Sequence, residues 1–158
     1  STPFGEDAHL TVRPVKEIAD IFVAGDTFSY LKRKKLDYKE LETLPILCLE
    51  GDTSTRRYVE HYLREENVFL HPEFELATSD MLIQFAERNL GVASVVKDFA
   101  SEKIKEDRIF RLQFKKEIPK RQFCVVTDHR LPLSSAAEQL LCILKDEISI
   151  DYDNYNKH

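Results

Sequence analysis

Short apolar runs alternate with helical patterns along the chain, and few architectures accommodate that order. Stretches of strand length that are rich in Ile, Val, Leu and Phe predict six strands, at residues 18–24, 44–49, 74–77, 92–96, 109–114 and 122–127. Apolar residues at helical spacing predict five helices, at residues 38–43, 54–66, 79–88, 98–105 and 134–148. This order is typical of an α/β fold, in which helices cover the faces of a mostly parallel sheet.

The last predicted helix shows the helical pattern most clearly. Ala137, Leu141, Leu144 and Ile148 recur at helical spacing and would form one apolar stripe. We therefore expect this helix to pack on the sheet, and we expect the polar tail after it to fray.

Length and composition indicate one domain with a sizeable core, since 42% of the 158 residues are hydrophobic. No apolar run reaches the roughly 18 to 20 residues that cross a bilayer, and the first residues lack the pattern of a secretion signal. These features predict a cytoplasmic protein without membrane contact. The cysteines agree, because Cys48, Cys124 and Cys142 are odd in number, widely spaced and set in apolar segments. They are predicted to be buried free thiols.

The charge balance argues against nucleic acid as a direct partner. A net charge of −5 does not supply the basic face that releases counterions from a phosphate backbone. The Lys-Arg-Lys-Lys run at residues 32–35 is the exception, and its polar surroundings predict a solvated loop.

Motifs of catalysis and metal binding are absent from the sequence. It contains no G-x-S-x-G elbow, no Gly-rich phosphate loop and no H-E-x-x-H. The histidines lack metal-ligand spacing and are scattered at His9, His61, His71, His129 and His158. The sequence therefore predicts no catalytic nucleophile, no metal site and no cofactor.

The stretch LCLEGDTSTRRYVEHYL, residues 47–63, passes from a strand pattern through a polar turn into a helix pattern. In one interpretation, Thr53 or Ser54 caps the helix by accepting a hydrogen bond from a backbone N–H. In the other, the first N–H groups and the positive end of the helix dipole bind a carboxylate or another anion. Both can hold at once, and the turn alone does not choose between them.

Longer segments resemble LysR-type transcriptional regulators. FELATSDMLIQFAERNLGVASVVKDFA, residues 74–100, looks like the strand, helix, glycine turn and strand of that family. Upstream, VKEIADIFVAGDTF resembles its crossover strand between lobes, and LETLPILCLEGDTSTRRYVEHYLREENV resembles its following strand and helix. Downstream, RQFCVVTDHRLPLSSAAEQLLCIL resembles its returning strand and helix. The segments occur in the family's order over residues 18–144.

The resemblance implies an effector-binding domain with a two-lobe, type 2 periplasmic-binding-protein-like α/β fold. Residues 1–20 would be a remnant of the first lobe leading to the crossover, and residues 21–118 the second lobe. Residues 119–148 would return to the first lobe, which would be incomplete in this chain, and residues 149–158 would form the polar tail. A small polar or anionic metabolite would bind in the cleft, without catalysis. The partners implied are a homodimer or homotetramer, and DNA only through a winged helix-turn-helix absent from this chain.

The resemblance also implies which residues contact the effector. By position these are Thr2, Ala24, Gly25, Ser54, Thr55, Arg56, Ala77, Thr78 and Ser79. Ligands of open α/β sheets gather at the carboxyl ends of strands, so we expect the groups around Ala24, Ser54 and Ser79 to share one edge. Arg56 could form a fork with a ligand carboxylate, or it could pair with Glu60 one helical turn away.

One departure from the family pattern concerns a turn. The family's Gly-Leu-Gly reads Asn89-Leu90-Gly91 here. Asparagine tolerates the left-handed conformation that a helix end often needs, so we expect the turn to be kept.

Other functions remain open on the sequence. A solute-binding protein of this fold would need an export signal and both lobes. A small enzyme would need a catalytic residue in the cleft, where only hydroxyls, Arg56 and Asp80 are available. A pure interaction module would not be stabilised by a small ligand. A winged helix-turn-helix in the upstream coding sequence would favour the sensor domain over all of these.

Overall fold

The computed structural model describes residues 9–144. The chain divides into two compact units. The central unit is Ile18–Lys120, and the terminal unit joins Ser1–Glu17 to Arg121–His158. Each unit is described separately below.

The described strands and helices follow one another along the chain with short connections. In order they are β1 (Leu10–Ile18), β2 (Asp20–Ala24), β3 (Lys35–Leu36), β4 (Ile46–Leu49), α1 (Ser54–Glu65), β5 (Pro72–Leu76), α2 (Ser79–Glu87), β6 (Val92–Val96), α3 (Lys97–Lys105), β7 (Phe110–Arg111), β8 (Gln113–Phe114) and β9 (Arg121–Asp128). Short 3-10 helices form at Asp26–Leu31 and Tyr38–Thr43.

A five-stranded sheet with the order β5-β4-β6-β2-β7 organises the central unit. Strand β4 is parallel to both β5 and β6, whereas β2 is antiparallel to both β6 and β7. Four of the five strands therefore run in one direction, which confirms the mostly parallel sheet. The carboxyl ends of β4, β5 and β6 lie at one edge of the sheet, which we call the C-terminal edge, and β2 ends at the opposite edge.

Successive side chains of the central strands enter two different apolar layers. Ile46 packs with Val59 and Leu63 of α1, whereas Leu47 packs with Leu82 of α2. This two-residue alternation is what a strand buried on both faces requires. Leu63 has no exposed surface, and truncating such a side chain to alanine costs about 2 to 5 kcal/mol. The two layers hold α1 and α2 on opposite faces of the sheet.

Most predicted elements of the central unit are confirmed, with small differences at their ends. The strand at 92–96 forms over the predicted residues, while the helix at 38–43 is a 3-10 helix. The predicted strand 109–114 is interrupted at Leu112, whose N–H donates to Phe22 O at 2.9 Å. The run at 32–35 is exposed as expected, but it is not wholly a loop, because Lys35 begins β3.

The turn after α2 keeps the expected geometry. Asn89 has a φ of 64°, which confirms the left-handed conformation. Its side-chain Oδ1 accepts a hydrogen bond from the N–H of Thr27 at 3.0 Å. Asn89 therefore ends the helix and also holds the first turn of the 3-10 helix that follows β2.

The terminal unit contains a two-stranded sheet of β1 and β9 and a helix over residues 135–144. Strand β1 was not predicted, because Pro14 and charged residues interrupt its apolar pattern. Ala137, Leu141 and Leu144 are half-buried, which confirms the stripe as far as it is described. Ile148 and the tail lie outside the described residues.

Two of the cysteines contradict the sequence expectation. Cys48 is buried, but Cys124 and Cys142 are exposed. Cys48 lies in the central strand β4, which is covered on both faces. Cys124 and Cys142 belong to the terminal unit, where a two-stranded sheet and one described helix offer few covering side chains. The prediction of buried thiols is therefore wrong for these two residues.

Candidate functional site

Two helices begin side by side at the C-terminal edge of the central sheet. Leu49 and Leu76, the last residues of β4 and β5, are partners in the parallel register. Helix α1 begins five residues after Leu49, and α2 begins three residues after Leu76. Because these strands are neighbours and parallel, both helix N-termini and their dipoles lie at the same edge.

Each helix start has a threonine cap. Thr53 Oγ1 accepts a hydrogen bond from the N–H of Arg56 at 3.3 Å, and Thr78 Oγ1 accepts one from the N–H of Met81 at 3.3 Å. The capping interpretation is therefore confirmed, with Thr53 as the cap of α1. Ser54 and Ser79 occupy the first helical positions, so their hydroxyls are not the caps.

The predicted contact residues of these two turns are close to the protein surface. Ser54, Ala77 and Thr78 are exposed, and Thr55 and Ser79 are half-buried. Backbone N–H groups of a helix start and hydroxyls together can bind a carboxylate, a phosphate or a polyol. The sheet thus brings Ser54, Thr55, Ala77, Thr78 and Ser79 to one edge.

Arg56 joins the first turn of α1 to the ends of two strands. Its Nη1 and Nη2 lie 2.8 Å and 2.9 Å from the two carboxylate oxygens of Glu75 on β5. Its Nη1 also donates to Leu49 O at 3.0 Å, and its Nε donates to Glu60 at 2.8 Å. The predicted pairing with Glu60 is therefore present, and the fork already holds a carboxylate of the protein itself.

These contacts shift the pKa values of both partners. Hydrogen bonds from Arg56 to Glu75 and then to Glu60 raise the pKa of the guanidinium above its ordinary value. The hydrogen bond from Arg56 lowers the pKa of Glu75 below its ordinary value of 4.5. Since two carboxylates already neutralise Arg56, the neutral N–H and O–H donors are the groups with which this edge can bind a ligand.

The Arg56 network predicts a pH-dependent contribution to stability. We expect Arg56→Met to lower the free energy of unfolding near pH 7. Because the pKa of Glu75 is lowered in the folded state, its contribution is present above the ordinary value of 4.5 and is lost as the pH falls through the folded pKa. The difference between Arg56→Met and the parent should therefore shrink below that pH, measured by urea unfolding.

Arg57→Met is the matched control for this prediction. Arg57 pairs with Asp52 at 3.3 Å, and both side chains are more than half exposed, at 64% and 77%. Such pairs contribute little, so this variant should stay close to the parent at every pH. An Arg56→Met effect of constant size from neutral to acidic pH would contradict the role assigned to Glu75.

A small cavity lies behind the first turns of α1. Cys48, Thr55, Arg56, Glu60 and Ser94 contribute to its walls. Its interior of about 10 Å³ has room for no more than about one water molecule. Burial raises the pKa of the Cys48 thiol to about 11, which keeps this wall of the cavity neutral. This cavity is therefore too small to hold a metabolite.

Ala24 and Gly25 do not belong to this edge, so the expectation that all three groups share it is wrong. In the antiparallel register of β2 and β6, Asp20 lies opposite Val96 and Val23 lies opposite Ala93. Strand β2 thus ends where β6 begins. A side chain at Gly25 would meet Ala86 O at 2.5 Å, so this glycine serves the packing against the end of α2.

The reversed direction of β2 instead brings Asp20 to the C-terminal edge. Asp20 is 5% exposed, and Ser94 of β6 is 7% exposed. These are the buried polar residues of the described core, and the sequence prediction missed both. The sequence did contain a signal, since the charged residue Asp20 directly precedes the apolar run IFVA. A charge next to a buried strand is unusual, because buried charges are rare unless they have a partner.

The remaining predicted residue, Thr2, lies outside the described residues. Within residues 9–144, no group of three His, Cys, Asp or Glu side chains is placed to hold a metal ion. In the same part of the chain, no helix combines the length and apolar character needed to cross a membrane.

Comparison with known families gives one match. The family described as LysR substrate binding domain matches residues 1–149. Comparison with curated protein sequences gives no significant match.

Solved structures with the same fold include several regulatory domains. The regulatory domain of CcmR from Synechocystis PCC6803, in complex with 2-PG, superimposes with a TM-score of 0.76 at 15% identity, covering 91% of this chain and 69% of that one. The effector-binding domain of QuiR in complex with shikimate gives 0.71 at 9% identity, covering 94% and 68%. The CrgA regulatory domain, from a LysR-type regulator of Neisseria meningitidis, gives 0.66 at 14% identity, covering 90% and 71%.

Proposed function

The chain belongs to the LysR substrate-binding domain family, and we propose that its effector binds at the C-terminal edge of the central sheet. The family has a type 2 periplasmic-binding-protein-like fold and senses effectors for LysR-type transcription regulators. This proposal rests on one observation. Two capped helices begin next to each other, directly after the ends of the neighbouring parallel strands β4 and β5. Ligands of open α/β sheets collect at such strand ends. The effector is a small polar or anionic metabolite, the class to which 2-PG and shikimate in the similar structures belong.

The proposed contacts come from hydroxyls and backbone N–H groups. Ser54, Thr55, Thr78 and Ser79 contribute them, and Ala77 leaves space beside the second helix start. Arg56 acts as a positioning residue, because its guanidinium is already held by Glu60 and Glu75. Thr2 is proposed as a contact from the first lobe, on the resemblance alone. Ala24 and Gly25 are left out, since they lie at the opposite edge.

The lobe assignment is also a proposal. Residues 21–118 would form the second lobe, and residues 1–20 and 119–148 would belong to the first, followed by the polar tail at 149–158. The complete regulator would act on DNA in the cytoplasm through a winged helix-turn-helix outside this chain. We propose no catalytic role, since the family is regulatory and the candidate site has hydroxyls but no activated nucleophile.

A melting experiment with metabolites tests the function. We expect one pool of small polar and anionic metabolites to raise the melting temperature of the 158-residue chain. A ligand at a hundred times its Kd stabilises by about 2.7 kcal/mol, or roughly 5 to 10 °C for a domain of this size. The Ser54→Ala, Ser79→Ala double variant should lose most of that response. If no pool stabilises the chain, a pure interaction module becomes the better explanation.

Self-association through the edge strand β5 is a further expectation for this domain. Phe74 on β5 is 43% exposed, and Phe69 and Met81 nearby are 53% and 39% exposed. An exposed strand edge with apolar side chains favours pairing with a second copy. We expect light scattering to show a dimer or larger species at high concentration, and Phe74→Glu to shift it toward the monomer.

Phe99→Glu is the control for the self-association experiment. Phe99 lies on α3 and is 60% exposed, so the change adds the same charge away from β5. If both substitutions weaken self-association equally, the added charge causes the effect and pairing along strand β5 does not. A parent chain that stays monomeric at high concentration would count against association altogether.

A further inference from the structure

One face of α1 contacts an irregular segment that ends the central unit. Tyr58 and Tyr62 of α1 and its C-cap residue Glu66 are spaced four residues apart, so they lie in a row along the helix. Residues 115–120, which we call the exit segment, lead from β8 to the start of β9 without regular secondary structure.

The row of α1 side chains holds the exit segment at three successive points. Tyr58 Oη donates to Pro119 O at 2.8 Å, and Tyr62 Oη donates to Glu117 O at 3.4 Å. Glu66 forms an ion pair with Lys116. The exit segment therefore runs antiparallel to α1, and two of its main-chain carbonyls have tyrosine hydroxyls as partners.

Apolar and cation–π contacts reinforce these bonds. Ile118 is 8% exposed and belongs to the same buried cluster as Val59 and Tyr62. Lys116 Nζ lies 5.6 Å from the centre of the Tyr62 ring. Irregular segments usually have few buried contacts and open locally, whereas residues 116–119 of this one bond to the tyrosine row or pack in the same buried cluster.

We propose that Tyr58 and Tyr62 form a latch that makes α1 and the exit segment move together. The first turn of α1, with Ser54 and Thr55, is where the proposed function places the effector, and the regulatory part of this inference rests on that placement. A displacement of this turn is then transmitted along the helix to Pro119 and Glu117. The latch thus couples effector binding to the point at which the chain leaves the central unit for β9.

Hydrogen exchange on the 158-residue chain tests the latch without any ligand. We expect Tyr58→Phe to speed exchange of the amides of residues 117, 118, 120 and 121 about fivefold, the factor that corresponds to loss of one ordinary hydrogen bond. Tyr62→Phe should have a smaller effect, because its bond is longer, and the double variant the largest. Tyr30→Phe is the control, since Tyr30 is 57% exposed and distant in sequence from both elements. Exchange at 117–121 that is equal in all variants would overturn the latch.

Removal of the α1 cap tests the coupling. Thr53→Ala loosens the first turn of α1, and in the parent chain we expect it to speed exchange at 117–121 about two- to threefold. In the Tyr58→Phe, Tyr62→Phe background the same substitution should leave exchange at 117–121 unchanged. A Thr53→Ala effect of equal size in both backgrounds, or none in the parent, would overturn the coupling. Neither result bears on whether metabolites raise the melting temperature, so failure of the latch and failure of the proposed function are distinguishable.

Discussion

Gly91→Ala should lower the free energy of unfolding by about 3 kcal/mol, the upper part of the usual range for overpacking. A Cβ at Gly91 would lie 2.5 Å from Pro45 O and 2.9 Å from two side-chain carbons of Leu47. Pro45 O also accepts the N–H of Val92 at 2.8 Å, so the backbone cannot retreat without loss of a sheet hydrogen bond. Leu47 is fully buried, so its side chain cannot shift without disturbing the packed core around it. Urea unfolding at neutral pH measures the difference.

Gly51→Ala separates crowding from backbone strain. Gly51 has a φ of 67°, but a Cβ there would meet nothing within 4 Å. Its replacement should cost about 1 kcal/mol, because only the left-handed conformation is penalised. If Gly91→Ala lowers the free energy of unfolding no more than Gly51→Ala does, a shift of the structure relieves the close contact with Pro45. The buried packing does not indicate such a shift, so that result would contradict the prediction.

Ser54→Ala, Thr55→Ala and Ser79→Ala should each weaken effector binding about ten- to a hundredfold if the hydroxyl bonds a charged group of the effector. A hydrogen bond to a charged group contributes about 1.5 to 3 kcal/mol, and about 1.4 kcal/mol corresponds to a factor of ten in Kd. Thr53 and Thr78 already cap the helices, so Ser54→Ala and Ser79→Ala should leave the melting temperature nearly unchanged. Calorimetry with the metabolite found in the melting experiment measures the affinity.

Thr53→Ala has the opposite profile and serves as the control. Loss of a threonine cap costs about 1 kcal/mol of stability, while the proposed contact hydroxyls remain in place. We therefore expect a lower melting temperature with unchanged effector affinity. Unchanged affinity in Ser54→Ala, Thr55→Ala and Ser79→Ala as well would mean that these hydroxyls do not bind the effector.

Local pattern was sufficient to predict most of the central unit. The strand at 92–96 is five apolar or small residues between a glycine turn and a helix, and such a segment has few alternatives. Helices α1 and α2 were predicted from their apolar spacing, within a residue of their observed ends. These features depend on neighbours in sequence, and this is why they could be predicted.

Strand direction and side-chain partners depend on contacts that the sequence does not show. The apolar run of β2 reads the same in either direction, so its antiparallel pairing, and with it the place of Gly25, was not predictable. Glu75 is 19 residues from Arg56, and only the parallel pairing of β4 and β5 brings them together. The Glu60 pair, one helical turn away, was within reach of local reasoning.

The charges around the two helix starts also affect how fast a ligand arrives. Asp52, Glu60 and Glu75 pair with Arg56 and Arg57, and Glu50 after β4 and Asp80 in the first turn of α2 add two more carboxylates. These five carboxylates outnumber the two guanidinium groups. An approaching anion is therefore repelled at long range and attracted only when it reaches the N–H groups. Its association rate should rise with ionic strength, because salt screens the repulsion beyond about 10 Å. A neutral polyol would associate at a rate that salt does not change, so the salt dependence of the rate reports the charge of the effector.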